Sequence, residues 1–152
     1  MRQLAALLCP VALVSCVPPQ GDRASQRDTS VTELKILGER GDANAQFRLG
    51  YAYDRGERVP QDYKAALKWY KLAANQGHVS AQHNLGLMYY NGEGTPKDYV
   101  QAHLWFNLAG STGKMENAIA MREQAARLMT RDQISAAQEL AAKWSVGPAR
   151  KE

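Results

Sequence analysis

AQFRLGYAYDRGERVPQDYKAALKWYKLAANQG, residues 45–77, decides the fold, because its landmarks return 36 residues later in AQHNLGLMYYNGEGTPKDYVQAHLWFNLAGSTG, residues 81–113. Leu49, Gly50, Tyr53, Gly56, Pro60, Asp62, Trp69 and Gly77 fall on Leu85, Gly86, Tyr89, Gly92, Pro96, Asp98, Trp105 and Gly113 without a gap. Gln46, Glu57 and Leu72 recur as well. A period of this length marks units that bury their apolar faces by stacking on one another.

Each unit reads as two helices. Ala45, Leu49 and Tyr53 are four apart and share one helical face. Gly50, on that helix, lets a neighbouring helix approach closely. Gly56 supplies the left-handed residue that ends this first helix, and Pro60 keeps it from continuing. Asp62 stands where a second helix wants an N-terminal carboxylate. Tyr63, Ala66, Trp69, Tyr70 and Ala73 then line one face until Gly77. The aromatic residues recur with the unit, which assigns them to packing common to every unit.

This pattern, A-x-x-x-L-G-x-x-Y-x-x-G followed by D-Y-x-x-A-x-x-W-[YF]-x-x-A-x-x-x-G, resembles the Sel-one-like repeat, a relative of the tetratricopeptide repeat. The resemblance covers residues 45–80 and 81–116. It implies an all-α, right-handed solenoid of antiparallel helix pairs, each a helix A and a helix B. It also implies an adaptor or scaffold role in protein complexes, with no enzymatic activity and no cofactor.

The flanks extend the solenoid. Residues 30–44 match helix B of a partial leading repeat, an N-terminal cap opened by Ser30 and Glu33 as a capping box and closed at Gly41. Residues 117–146 hold C-terminal capping helices, predicted at about 115–129 and after Thr130. Thr130 and Gln133 form a second capping-box candidate, and residues 147–152 are a polar tail. End helices of this kind cover the stacking face that a last repeat would leave open.

The N-terminus reads as an address. Arg2 precedes an apolar run from Leu4 to Val14, too short to cross a bilayer and suited to an export signal in residues 1–15. Leu13-Val14-Ser15-Cys16 resembles the bacterial lipobox, which implies lipid attachment at Cys16. Val17 in place of Asp makes the outer membrane, facing the periplasm, the expected site in that resemblance. Residues 16–29, with Pro18, Pro19 and Gly21, read as a flexible tether.

Composition excludes other classes. Hydrophobic residues are 45% and charged residues 22%, which suits a folded domain. The net charge of +4 comes from scattered Lys and Arg with no stripe, so no nucleic-acid partner is expected. Both cysteines, Cys9 and Cys16, precede the repeats, so no disulfide framework is available within them. His78, His83 and His103 lack metal-ligand spacing. Ser80 and His83 read as a helix cap and a surface histidine, and Glu93 and Asp98 as a loop residue and a cap.

In tetratricopeptide relatives helix A lines the concave face. Carried onto this chain, that geometry nominates Phe47, Tyr51, Asp54 and Arg55 in the first unit. In the second it nominates His83, Leu87, Tyr90 and Asn91. These positions differ between units, as a surface selecting a protein or peptide partner requires. Two other functions stay open. One is a structural spacer. The other is β-lactam binding or hydrolysis, as in cysteine-rich relatives, although the repeats here lack cysteine and only Ser111-Thr112-Gly113-Lys114 matches Ser-x-x-Lys.

Overall fold

The computed structural model describes residues 29–113 and 115–146. The expected export signal in residues 1–15, the candidate lipid site Cys16, the expected tether up to residue 28 and residues 147–152 lie outside the described residues. Those described form seven helices and no strand: α1 Val31–Glu39, α2 Ala43–Arg55, α3 Tyr63–Asn75, α4 Val79–Asn91, α5 Tyr99–Gly110, α6 Glu116–Arg127 and α7 Arg131–Val146. Each of α1 to α5 packs on the next, and α5 also meets α6 and α7. The architecture is an all-α solenoid, as the repeat predicts.

The helix boundaries follow from local chemistry. Gly56 and Gly92 cap α2 and α4 in the left-handed region, at φ 69° and 79°. That conformation is nearly free of cost only for glycine. Asp62 accepts hydrogen bonds from the backbone N–H groups of Lys64 and Ala65, and Asp98 accepts one from Gln101. Both satisfy donors that a helix start leaves unpaired. At the far end of α3, His78 N–H donates to Ala73 C=O around Gly77, so the glycine sits just past the helix end, as read.

Two close approaches build the core. A Cβ placed on Gly50 would stand 2.5 Å from Cδ1 of Tyr70, and one on Gly86 would stand 2.6 Å from Cε1 of Phe106. Tyr70 and Phe106 are fully buried. Each pair of helices therefore closes as an aromatic ring laid on a bare backbone. A second recurrence ties the pairs together. The buried side chains of Gln46 and Gln82 donate to the carbonyls of Gly38 and Ala74, at 2.8 and 3.2 Å, in the last turn of the preceding helix. Each of these carbonyls also accepts a backbone N–H, from Gly41 and from Gly77, and the buried amide takes its second lone pair.

The ends of the described stack are closed by further capped helices. Thr130 and Gln133 form both halves of a capping box: Gln133 N–H donates to Thr130 Oγ1 and Thr130 N–H to Gln133 Oε1. Ser30 accepts from Glu33 N–H. Helix α7 lies on α5, with Trp144 edge-on to Trp105 at 6.3 Å between centroids and Ala141 in the main core. One local reading is corrected. Helix α4 starts at Val79 and is capped by His78, whose Nδ1 accepts from Ala81 N–H; Ser80 lies inside the helix. His78 stands 36 residues after Asp42, which caps α2 in the same way through Ala45 N–H. The repeat's own phase thus sets the cap.

Candidate partner-binding surface

The eight nominated residues lie on α2 and α4, and the structure divides them. Four are engaged inside the fold. Phe47 stacks on His78, with centroids 4.5 Å apart and planes 19° from parallel, and leans on Tyr70 at 5.9 Å. Asp54 accepts from the Tyr70 hydroxyl at 3.3 Å. His83 lies against Phe106 at 5.6 Å, and Tyr90 meets Tyr99 edge-on at 5.4 Å. The expected surface histidine at 83 is therefore half-buried, because it occupies the position that Phe47 holds one repeat earlier.

Three of the other four are exposed. Tyr51 and Arg55 are exposed and paired, the guanidinium 5.6 Å from the ring centroid. Leu87 is half-buried. Asn91 is exposed and donates to Glu93 at 3.4 Å.

A hydrogen-bonded chain joins three helices beneath this surface. Asn84 donates to the Tyr70 hydroxyl at 3.0 Å, and that hydroxyl reaches Asp54. Burial and the neighbouring carboxylate push the Tyr70 phenol well above its ordinary range, while the Asn84 bond opposes them. Burial also holds the imidazoles of His78, His83 and His103 below 6.5, with the Arg122 charge adding to it at His103. Nδ1 of His83 and of His103 are buried without a hydrogen-bond partner.

Two cavities lie at the α1 end of the stack, and a third of about 620 Å³ lies between the loops at Pro60 and Gly94. A cavity of about 320 Å³ opens between α1 and α2, walled by Val31, Leu34, Phe47, Arg48 and Tyr51. A second of about 600 Å³ shares Leu34, Phe47 and Arg48 and runs past Leu37 to Asp42 and His78. Neither reaches Leu87, Tyr90 or Asn91. The site thus includes Val31, Leu34, Leu37 and Arg48, which the sequence reading did not nominate. The signal was present: counting back one repeat makes α1 a helix B that faces α2.

Chemistry-bearing clusters are sparse. Among the described residues no three His, Cys, Asp or Glu side chains gather as a metal site would require, and no helix is long and apolar enough to cross a membrane. Ser111 caps the end of α5 and donates its hydroxyl to Leu108 C=O at 2.7 Å.

Comparison with known proteins agrees with this geometry. The family model for the Sel1 repeat matches residues 43–78 and 79–113, two consecutive stretches in the middle of the chain. The matched units begin two residues before the periodic pattern suggested, each at the start of its helix A. The fold is similar to the crystal structure of c5321, a protective antigen present in uropathogenic Escherichia coli strains displaying an SLR fold. That match has a TM-score of 0.71 and 35% identity, over 75% of this chain and 24% of that one. A Sel1 repeat protein from Oxalobacter formigenes matches with a TM-score of 0.59 and 35% identity, over 61% of this chain and 27% of that one. The chain therefore spans about a quarter of the length of these solved relatives. No curated protein matches the sequence.

Proposed function

We propose that this chain is a non-enzymatic adaptor, lipid-anchored at Cys16 to the bacterial envelope and facing the periplasm, that binds a protein or peptide partner on the helix-A side of its repeats. The observation that carries this reading is the match to two Sel1 repeats with Tyr51, Arg55 and Asn91 left exposed on helix A. Sel1 repeats suggest an interaction scaffold. Stacked helix pairs leave a continuous surface whose outward residues are free to differ. The lipobox resemblance supports the anchor. An anchor would raise the effective concentration of a membrane-bound partner and offset the small number of repeats.

The test is capture from envelope extract, with the Tyr51→Ala/Leu87→Ala/Tyr90→Ala variant beside the original chain. A partner held by the original and lost by the variant supports the reading. No partner from either would sink it and favour a spacer. Metabolic labelling with a fatty-acid analogue, with and without Cys16→Ser, tests the anchor separately.

A further inference from the structure

The leading repeat has a helix B and no counterpart of helix A among the described residues. Shifting by 36 residues, Leu34 of α1 takes the place of Tyr70 and Phe106, and Leu37 that of Ala73 and Ala109. In the two complete repeats the ring lies on Gly50 or Gly86 of its own helix A, and both alanines are fully buried. Leu37 by contrast is 36% exposed. The sequence one repeat before α2 lacks the motif: Val14 stands where Gly50 and Gly86 stand, and Pro10 falls in the span. Two open cavities lie at this place, bounded by Leu34 on one side and Phe47 and Arg48 on the other.

The next repeat shows what such a space holds. There the walls are Tyr70 on α3 and Asn84 on α4, and the occupant is α2. Its Gly50 takes the Tyr70 ring, and its Asp54, one turn later, meets the hydroxyl that Asn84 also reaches. One repeat back, Arg48 stands in the place of Asn84, and Leu34 has no hydroxyl to intervene. A carboxylate at the Asp54 position of an incoming helix therefore falls beside a guanidinium. That guanidinium is half-buried and donates to Thr29 Oγ1 at 3.1 Å. An ion pair in such a place is stronger than a solvated one.

We infer that the α1–α2 groove is a seat for one amphipathic helix of a partner protein, docking in the helix-A place of the leading repeat, with a small residue over Leu34 and an Asp or Glu four residues later paired with Arg48. This rests on the adaptor reading and names its site and the form of the partner. The groove continues the solenoid's own helix-stacking interface, and its charge asks for an acid at that one position. A second folded copy has no helix to give, since α2 and α4, which carry the motif, are packed in their own pairs.

The test uses this chain's own helix A as the probe: a fluorescent peptide of residues 42–56, held helical by a staple across positions 44 and 51, titrated into the full chain by anisotropy. Saturable binding is expected. It should weaken about tenfold or more with Arg48→Glu in the protein, with Leu37→Glu, or with Asp54→Asn in the peptide. Leu37 is exposed enough for its variant to fold, which thermal melting verifies. Leu128→Ala, exposed at the end of α6 and away from both cavities, should leave affinity unchanged, while Leu87→Ala/Tyr90→Ala on α4 reports separately on the concave face. No saturable binding would overturn the inference, as would binding indifferent to both Leu37→Glu and Arg48→Glu. Binding lost only in the α4 variant would move the site to the concave face, removing the seat and keeping the adaptor. Binding as expected with nothing captured from extract would keep the seat and remove the adaptor role.

Discussion

Gly50 lies flat against the ring of Tyr70, so close that a Cβ on the glycine would stand 2.5 Å from Cδ1. The ring is fully buried and held by Asn84 and Asp54 at its hydroxyl, so it cannot swing aside without breaking both bonds. Gly50→Ala is expected to destabilise the fold by about 2–3 kcal/mol, the usual range for overpacking a tight core. Adding Tyr70→Leu, which reproduces the Leu34 arrangement of α1, should return part of that loss. Thermal melting of the two single variants and the double variant checks this. Additive effects would show that the ring contact is not what constrains position 50.

His78 caps α4 with the neutral nitrogen Nδ1 and stacks on Phe47. Burial lowers its pKa, as it does for His83 and His103. Below 6.5 the unfolded chain therefore takes up protons before the folded one. Stability is fully present above that value and is lost as pH falls through it and through the lower folded values. His78→Asp, copying Asp42, should keep the cap and flatten part of this dependence. Denaturant unfolding at pH 7.5 and 5.5 measures it, and an equal pH loss in both proteins would refute the assignment.

Tyr70 gives the opposite edge. Its phenol is raised by burial and by Asp54, so the unfolded chain ionises first as pH climbs past 10. Stability contributed by the neutral phenol is present below that value and lost above it. Tyr70→Phe should unfold less steeply between pH 9.5 and 11, at about 1 kcal/mol lower stability near neutrality from the lost hydrogen bonds.

The buried glutamines bind one repeat to the next. Gln46 donates to Gly38 C=O and accepts from Gln76 at 2.7 Å, while Gln82 makes the longer bond to Ala74. Gln46→Leu and Gln82→Leu should each cost about 1–2 kcal/mol, with Gln46 the larger. Chemical denaturation ranks them. A reversed order would mean that the Gln76 contact contributes nothing.

At the C-terminal end, α7 brings Ala141 into the core and sets Trp144 edge-on to Trp105. Trp144→Ala should cost about 3 kcal/mol, the low end for an aromatic truncation at a partly buried site. Changed tryptophan fluorescence with an unaltered melting point would show that α7 covers α5 without supporting it.

The helices and their ends were written in short-range chemistry, which is why they were legible. Gly56, Gly92, Asp62 and Asp98 act within a turn of their own position, so residue type and spacing suffice. The recurrence of Gly50 and Gly86 further implied a close neighbour. It did not say which ring, because the partner lies 20 residues along the chain and is chosen by how two helices pair. His78 was missed as a cap since imidazole is rarely placed there, and only comparison with Asp42 reveals the role.

The candidate site divides along the same line. The resemblance to tetratricopeptide relatives, in which helix A lines the concave face, nominated Phe47, Tyr51, Asp54 and Arg55, with His83, Leu87, Tyr90 and Asn91. Which of them remain free was decided by tertiary packing. Phe47, Asp54, His83 and Tyr90 are taken up by His78, Tyr70, Phe106 and Tyr99, all on other helices. The groove between α1 and α2 is likewise a property of the assembled stack. Leu34, Leu37 and Arg48 become one surface only when the leading helix B has docked and no helix A of the chain's described residues covers it. Periodicity determines where a unit begins. Only packing determines which of its faces is left without a neighbour.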